Sequence, residues 1–144
     1  MWFNPIMTWL LRSPLHSVIS SNTMLMTYTG RKSGKIFTTP MNYLRMKDSR
    51  GEYLLTTSLR ERTWWRNLRG GAAVTLQLQG KNMPAQAEAH EDEGVVISEL
   101  EAFFEQAPKM AKYFGVKIEA NGKPNRDDVA RAAQTRVVVR TVVR

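Results

Sequence analysis

The chain has 144 residues, 42% of them hydrophobic, which suits one domain with a real core and excludes a disordered composition. It has no cysteine and only two histidines, His16 and His90, so disulfides and thiolate chemistry are excluded and no metal centre is expected. Its net charge of +8 lies wholly in the first 80 residues, where 11 Lys/Arg stand against 3 Asp/Glu, while residues 81–144 carry 10 of each. That excess reads either as a solvated basic face or as an electrostatic funnel for an anionic ligand.

The segment Met1–Arg12 is apolar but too short to span a bilayer, which needs roughly 20 apolar residues. It lacks the basic start and the cleavage site of a signal peptide. Asn4-Pro5 reads as an N-cap followed by proline, which predicts a short helix within residues 1–20. That helix either packs on the domain or lies on a membrane surface. Thr23–Thr29 and Ile36–Tyr43 read as strands, and Pro40 implies an edge, a bulge or a close approach. Lys47–Gly51 reads as a turn and Glu52–Ser58 as a third strand. Glu61–Arg69 loses the two-residue period and ends at Gly70-Gly71, a short helix with a glycine stop. Val74, Leu76 and Leu78 alternate with polar residues, as in a half-buried strand. A turn at Gly80-Lys81-Asn82 leads into Met83–Glu91, where Met83, Ala85, Ala87 and Ala89 share a face. Val96, Leu100, Phe103 and Ala107 fall at helical spacing in an inserted helix within residues 93–108, read over Val95–Ala107 and closed by Pro108. Lys109–Gly115 extends it by a turn, Asn125–Ala133 is a small helix, and Thr135–Val143 is a β-branched closing strand. In that strand Val137, Val139, Thr141 and Val143 share a face. About six strands with short turns and one longer late helix predict a mainly β (α+β) fold, a barrel-like antiparallel sheet in a single domain, 1–144.

The densest chemistry is the turn Gly30-Arg31-Lys32-Ser33-Gly34-Lys35. Two glycines can bend the backbone, and three cations and a hydroxyl stand between and beside them. Amide N–H groups and positive charge pointing into one space suit a phosphate or carboxylate. The spacing is not that of a nucleotide-hydrolysing P-loop, and Ser33, Ser58 and His90 form no readable triad. Thr56-Thr57-Ser58 ends the third strand, and Trp64-Trp65-Arg66-Asn67 follows soon after. Small hydroxyl residues let a flat ring approach the backbone, and the tryptophans supply an apolar wall or simply core. An anion site beside an aromatic wall fits a phosphorylated, planar cofactor. A nucleic-acid surface would need interleaved exposed aromatics, which are not evident, so no nucleic-acid partner is expected.

The run Leu25–Lys35, then Thr39-Pro40 and Tyr43, then Thr57-Ser58, then Trp65-Arg66-Asn67-Leu68 resembles the deazaflavin-dependent nitroreductase family of the flavin/deazaflavin split β-barrel superfamily. The resemblance implies a split β-barrel that binds coenzyme F-420, with FMN or haem as alternatives, and a hydride passed to a quinone, nitro compound or activated alkene. It implies cofactor contacts at Gly30, Arg31, Lys32, Ser33, Gly34 and Lys35. It also implies contacts at Thr39, Pro40 and Met41, at Thr57 and Ser58, and at Trp65 and Asn67. The family often has an arginine where this chain has Phe37, and Lys35 or Arg62 would have to replace that contact. Tyr113 is the implied proton donor, with ordinary packing as the other reading. Further expectations are a small-molecule electron acceptor, a homodimer, a cytoplasmic location and a peripheral membrane contact through Trp2 and Phe3. The alternative is a non-catalytic carrier on the same barrel.

Overall fold

The structure is a computed structural model and describes residues 23–144. The helix expected within residues 1–20, and with it the Trp2-Phe3 membrane contact, lies outside the described residues. Strands β1 (Thr23–Thr29) and β2 (Ile36–Asn42) form an antiparallel hairpin around the cationic turn. Strands β3 (Leu44–Asp48) and β4 (Gly51–Leu59) form a second hairpin. A 3₁₀ helix, Trp64–Leu68, leads into the antiparallel pair β5 (Ala72–Leu78) and β6 (Lys81–His90). Helix α1 (Glu93–Gln106), a second 3₁₀ helix (Pro108–Phe114) and helix α2 (Arg126–Gln134) precede strand β7 (Arg136–Val143).

The result is a mixed α/β fold with a seven-stranded sheet in the order β2-β1-β5-β6-β7-β4-β3. This corrects the expected six strands and the mainly β class. The seventh strand is β3, which hides in the sequence because the buried positions change phase. Met41 and Tyr43 are buried at odd positions, whereas Met46 is buried at an even one. The residues Lys47 and Asp48, which read as turn formers, are paired opposite Glu52 and Gly51. Pro40 sits on β2, an edge strand, where the missing N–H costs no ladder bond. The late helix starts at Glu93, within the expected 93–108, where Asp92 caps it by accepting from the Val95 amide at 3.1 Å. In β7, Val138 is buried as well as Val137, Val139 and Thr141, while Val143 is exposed, so burial there is not restricted to one face.

The packing divides into two compact units. Among the described residues, the first comprises 23–56, Thr63–Ala89 and Val139–Arg144, and the second Thr57–Arg62 and His90–Val138. The core of the first unit holds Met24, Leu25, Met26, Tyr28, Leu55, Trp65, Leu68 and Leu76. In the second, α1 packs on α2 and on the second 3₁₀ helix. Phe103, Phe104 and Phe114 meet there at centroid distances of 5.1–5.8 Å, and Val96, Leu100 and Val129 are fully buried. Among the described residues, no helix is long and apolar enough to cross a membrane.

Candidate functional site

The turn between β1 and β2 is closed at its neck by backbone bonds. The Gly30 amide donates to the Lys35 carbonyl and the Gly34 amide to the Gly30 carbonyl, both at 2.8 Å. Gly34 takes a φ of +70°, and Ser33 Oγ accepts from the Lys35 amide at 3.2 Å. Gly30 is buried against the side chain of Phe37. A Cβ there would stand 2.8 Å from Phe37 Cε2 and 2.9 Å from Ser33 Oγ. Phe37 therefore spends its ring on packing. It lies opposite Tyr28 in the hairpin, with ring centroids 5.9 Å apart, and Tyr28 in turn meets Trp64 at 6.2 Å.

The 3₁₀ helix Trp64–Leu68 flanks the turn. Asn67 Oδ1 accepts from the Arg31 amide at 3.0 Å, and Asn67 Nδ2 donates to the Trp64 carbonyl at 2.9 Å. Arg31 Nη2 donates to the carbonyls of Arg69 and of Gly71, the latter at 3.2 Å. Gly71 has a φ of +94°, and a Cβ on it would meet Gln86 Nε2 at 3.0 Å. Trp65 is fully buried, and its indole N–H has no acceptor among the described residues. The guanidinium groups of Arg66 and Arg69 lie 5.7 and 5.1 Å from its ring centroid.

Four of the six amides of the turn, those of Gly30, Arg31, Gly34 and Lys35, are thus bonded to protein atoms. The turn fits an anion through side chains more than through a nest of free amides. Lys32, Ser33 and Lys35 are exposed there, with Arg66 and Arg69 exposed on the flanking segment. The phosphate of a flavin-type or deazaflavin cofactor matches that donor set.

On β2, Thr39 and Pro40 are half-buried, and Thr39 Oγ1 is 3.2 Å from the Tyr28 hydroxyl. Burial pushes the Tyr28 phenol up, and the Thr39 hydrogen bond offsets part of that rise. Met41 is a core side chain opposite Met24. The first unit therefore brings Asn67 against Gly30–Lys35, with Trp65 on the same 3₁₀ helix, and holds Thr39, Pro40 and Met41 on the adjoining strand. Thr57, Ser58, Arg62 and Tyr113 belong to the second unit. There Ser58 is buried, its hydroxyl donating to the Leu59 carbonyl at 3.2 Å, and Arg62 is exposed. Tyr113 is 68% exposed, with Lys112 Nζ 5.1 Å from its ring centroid. It borders an open groove of about 510 Å³ lined by Met110, Ala111, Val116 and Ile118. Sequence reasoning missed Arg66 and Arg69 as partners of Trp65. Their positions one and four residues after the tryptophan were the available signal.

A family described as F420H(2)-dependent quinone reductase matches residues 15–120. Among solved structures, the FAD- and haem-binding protein of Mycobacterium smegmatis is similar, with a TM-score of 0.53 and 11% identity over 92% of this chain and 67% of that one. A candidate pyridoxamine 5'-phosphate oxidase of Listeria innocua is similar at a TM-score of 0.52 and 14% identity, over 90% of this chain and 89% of that one. At these identities the likeness is one of fold. No curated protein matches the chain.

Proposed function

The chain belongs to the F420H(2)-dependent quinone reductase family, and from that premise we propose that it uses coenzyme F-420 to reduce a small electrophilic acceptor, such as a quinone, nitro compound or activated alkene. The observation that carries this reading is the cationic turn, fastened to the Trp64–Leu68 helix inside the matched residues. When bound, the reduced deazaflavin supplies the hydride. Lys32, Ser33 and Lys35 would bind its anionic end, with Thr39 and Pro40 as further contacts on the edge strand. Thr57, Ser58 and Arg62 enter this reading only through the family resemblance. The protein contributes positioning, stabilisation of the charge that develops on the acceptor, and exclusion of water.

A reduction by hydride also needs a proton, and Tyr113 is the donor in this reading. Tyr113→Phe should lower kcat by about 10²-fold or more, the usual weight of a general acid, while coenzyme affinity is kept. Steady-state kinetics beside a binding titration separates the two. Equal losses in both would return Tyr113 to a packing role.

The reading as a whole is tested by titrating the protein with F-420 and following coenzyme fluorescence, then by adding reduced coenzyme with a panel of quinone, nitro and enone acceptors. Binding at micromolar concentrations with acceptor-dependent oxidation is expected. No binding at tens of micromolar would sink the proposal. Binding with no turnover across the panel would favour a carrier, and tighter binding of FMN would reassign the cofactor.

A further inference from the structure

We propose that Asn67 and Arg31 are positioning residues, a latch that sets the shape of the cationic turn so that Lys32, Ser33 and Lys35 meet the anion. The inference rests on the reading that this turn holds the anionic end of the coenzyme. It differs from the expectation that Arg31 and Asn67 contact the ligand themselves.

Three features carry it. The Asn67 amide is used at both ends, accepting from the Arg31 amide at 3.0 Å and donating to the Trp64 carbonyl at 2.9 Å. Its two halves thereby join the turn to the flanking 3₁₀ helix. Arg31 Nη2 spends its donors on the carbonyls of Arg69 and Gly71. Those carbonyls are held in place by the turn at Gly70-Gly71, where both residues have positive φ and Gln86 Nε2 closes the space around Gly71. The neck of the cationic turn, finally, fixes Gly30, Gly34 and Lys35 by backbone bonds. Those bonds close the loop but do not orient its tip against the neighbouring helix. The Arg31 main chain and side chain supply that orientation, and the tip carries Lys32 and Ser33.

An arginine anchored in this way differs from a lysine in the same place. Lysine keeps the charge but is one bond shorter and has no planar guanidinium to hold one nitrogen between the two carbonyls. Arg31→Lys therefore breaks the side-chain half of the latch without removing charge, and Asn67→Ala breaks its main-chain half. Affinity for F-420, read by coenzyme fluorescence at low and high salt, should fall about tenfold for each, the weight of a lost hydrogen-bonded contact. The double variant should bind little worse than either single one, because both break one device. The salt dependence of affinity should keep the wild-type slope in all three. Lys32→Ala with Lys35→Ala should flatten that slope, because charges that meet the anion are lost.

A direct role for Arg31 predicts otherwise: Arg31→Lys would bind like the wild type, or the two losses would add. Either result overturns the proposal. Amide hydrogen exchange over residues 30–35 in coenzyme-free protein tests the latch independently. Asn67→Ala should speed exchange in that segment, and unchanged exchange overturns the inference whatever the coenzyme does. A wild-type chain that binds no F-420 overturns the functional reading, and the exchange result alone then decides the latch.

Discussion

Gly30 is a place where one hydrogen atom decides the packing. It is buried, and its φ is not in the left-handed region, so the backbone alone would accept alanine. The space would not, since the new methyl meets Phe37 Cε2 at 2.8 Å and Ser33 Oγ at 2.9 Å. Gly30→Ala is expected to cost about 1–3 kcal/mol, the usual cost of overpacking. Urea denaturation measures it, and Gly30→Ala with Phe37→Ala should recover part of the loss. A full loss that persists in the double variant would place the strain at Ser33 or in the backbone. A second residue, Asp48, carries a pH dependence. The Arg140 guanidinium that donates to it holds its carboxyl below the usual carboxylate range, and the Arg50 amide at 2.9 Å adds to this. A carboxyl with a depressed folded pKa stabilises the fold above its unfolded value of about 3.9 and loses that contribution as pH falls through the folded value. Asp48→Asn should therefore lower the Tm at neutral pH and shrink the further fall below about pH 3.9. Parallel Tm–pH curves for the variant and the wild type would show that the pair contributes nothing. Arg140 also lies 3.9 Å from the Tyr53 ring centroid, so its removal would confound the test by exposing that ring at every pH.

At the scale of elements, Arg60 fastens the second unit. Its Nη2 donates to the carbonyls of Glu91 and Arg136 at 2.9 Å and of Ala133 at 3.3 Å, and its own amide donates to the Thr135 carbonyl at 2.8 Å. One half-buried guanidinium thus ties together the approach to α1, the end of α2 and the start of β7. Arg60→Met keeps the apolar stem and leaves the carbonyls without their charged donor, which should cost about 2–3 kcal/mol. Chemical denaturation checks the value, and Arg60→Lys should recover only part of it. A cost near zero would mean that water replaces the guanidinium freely. Nothing local in the sequence marks an arginine whose acceptors lie 31 to 76 residues away. The same limit applies to the candidate site. The cationic turn was legible because its glycines and charges are contiguous. Its links to Asn67, Arg69 and Gly71, 36 to 40 residues further on, have no local pattern. Elements with a sustained period were legible for the opposite reason. Val74, Leu76 and Leu78 are all buried, as their alternation required, and Val96, Leu100 and Phe103 are buried at helical spacing. Strand β3 was missed where the period broke at Tyr43–Leu44, which is also where the chain leaves its pairing with β1 for a new one with β4.

For the whole molecule, the charge imbalance follows the packing units. Among the described residues, the first unit carries 11 Lys/Arg against 3 Asp/Glu, and the second 9 against 10. The positive field therefore belongs to the unit that contains the cationic turn. A field of this kind acts on the approach of an anionic ligand, whereas direct contacts act on its departure. Lys47 on β3 and Lys81 at the start of β6 are both exposed and belong to the same unit. Changing both to glutamate takes the net charge from +8 to +4 without altering the turn. The association rate of F-420 with Lys47→Glu/Lys81→Glu should fall by roughly 2–10-fold at low salt, toward the low end of electrostatic steering. The difference from the wild type should close as salt shortens the Debye length from about 30 Å at 0.01 M to about 3 Å at 1 M. The dissociation rate should not change. Stopped-flow fluorescence separates the two rates. If dissociation quickens while association holds, these lysines touch the ligand and the field has no separate role. If neither rate moves, the positive charge of the first unit is a solvated surface, and the turn binds its anion by contact alone.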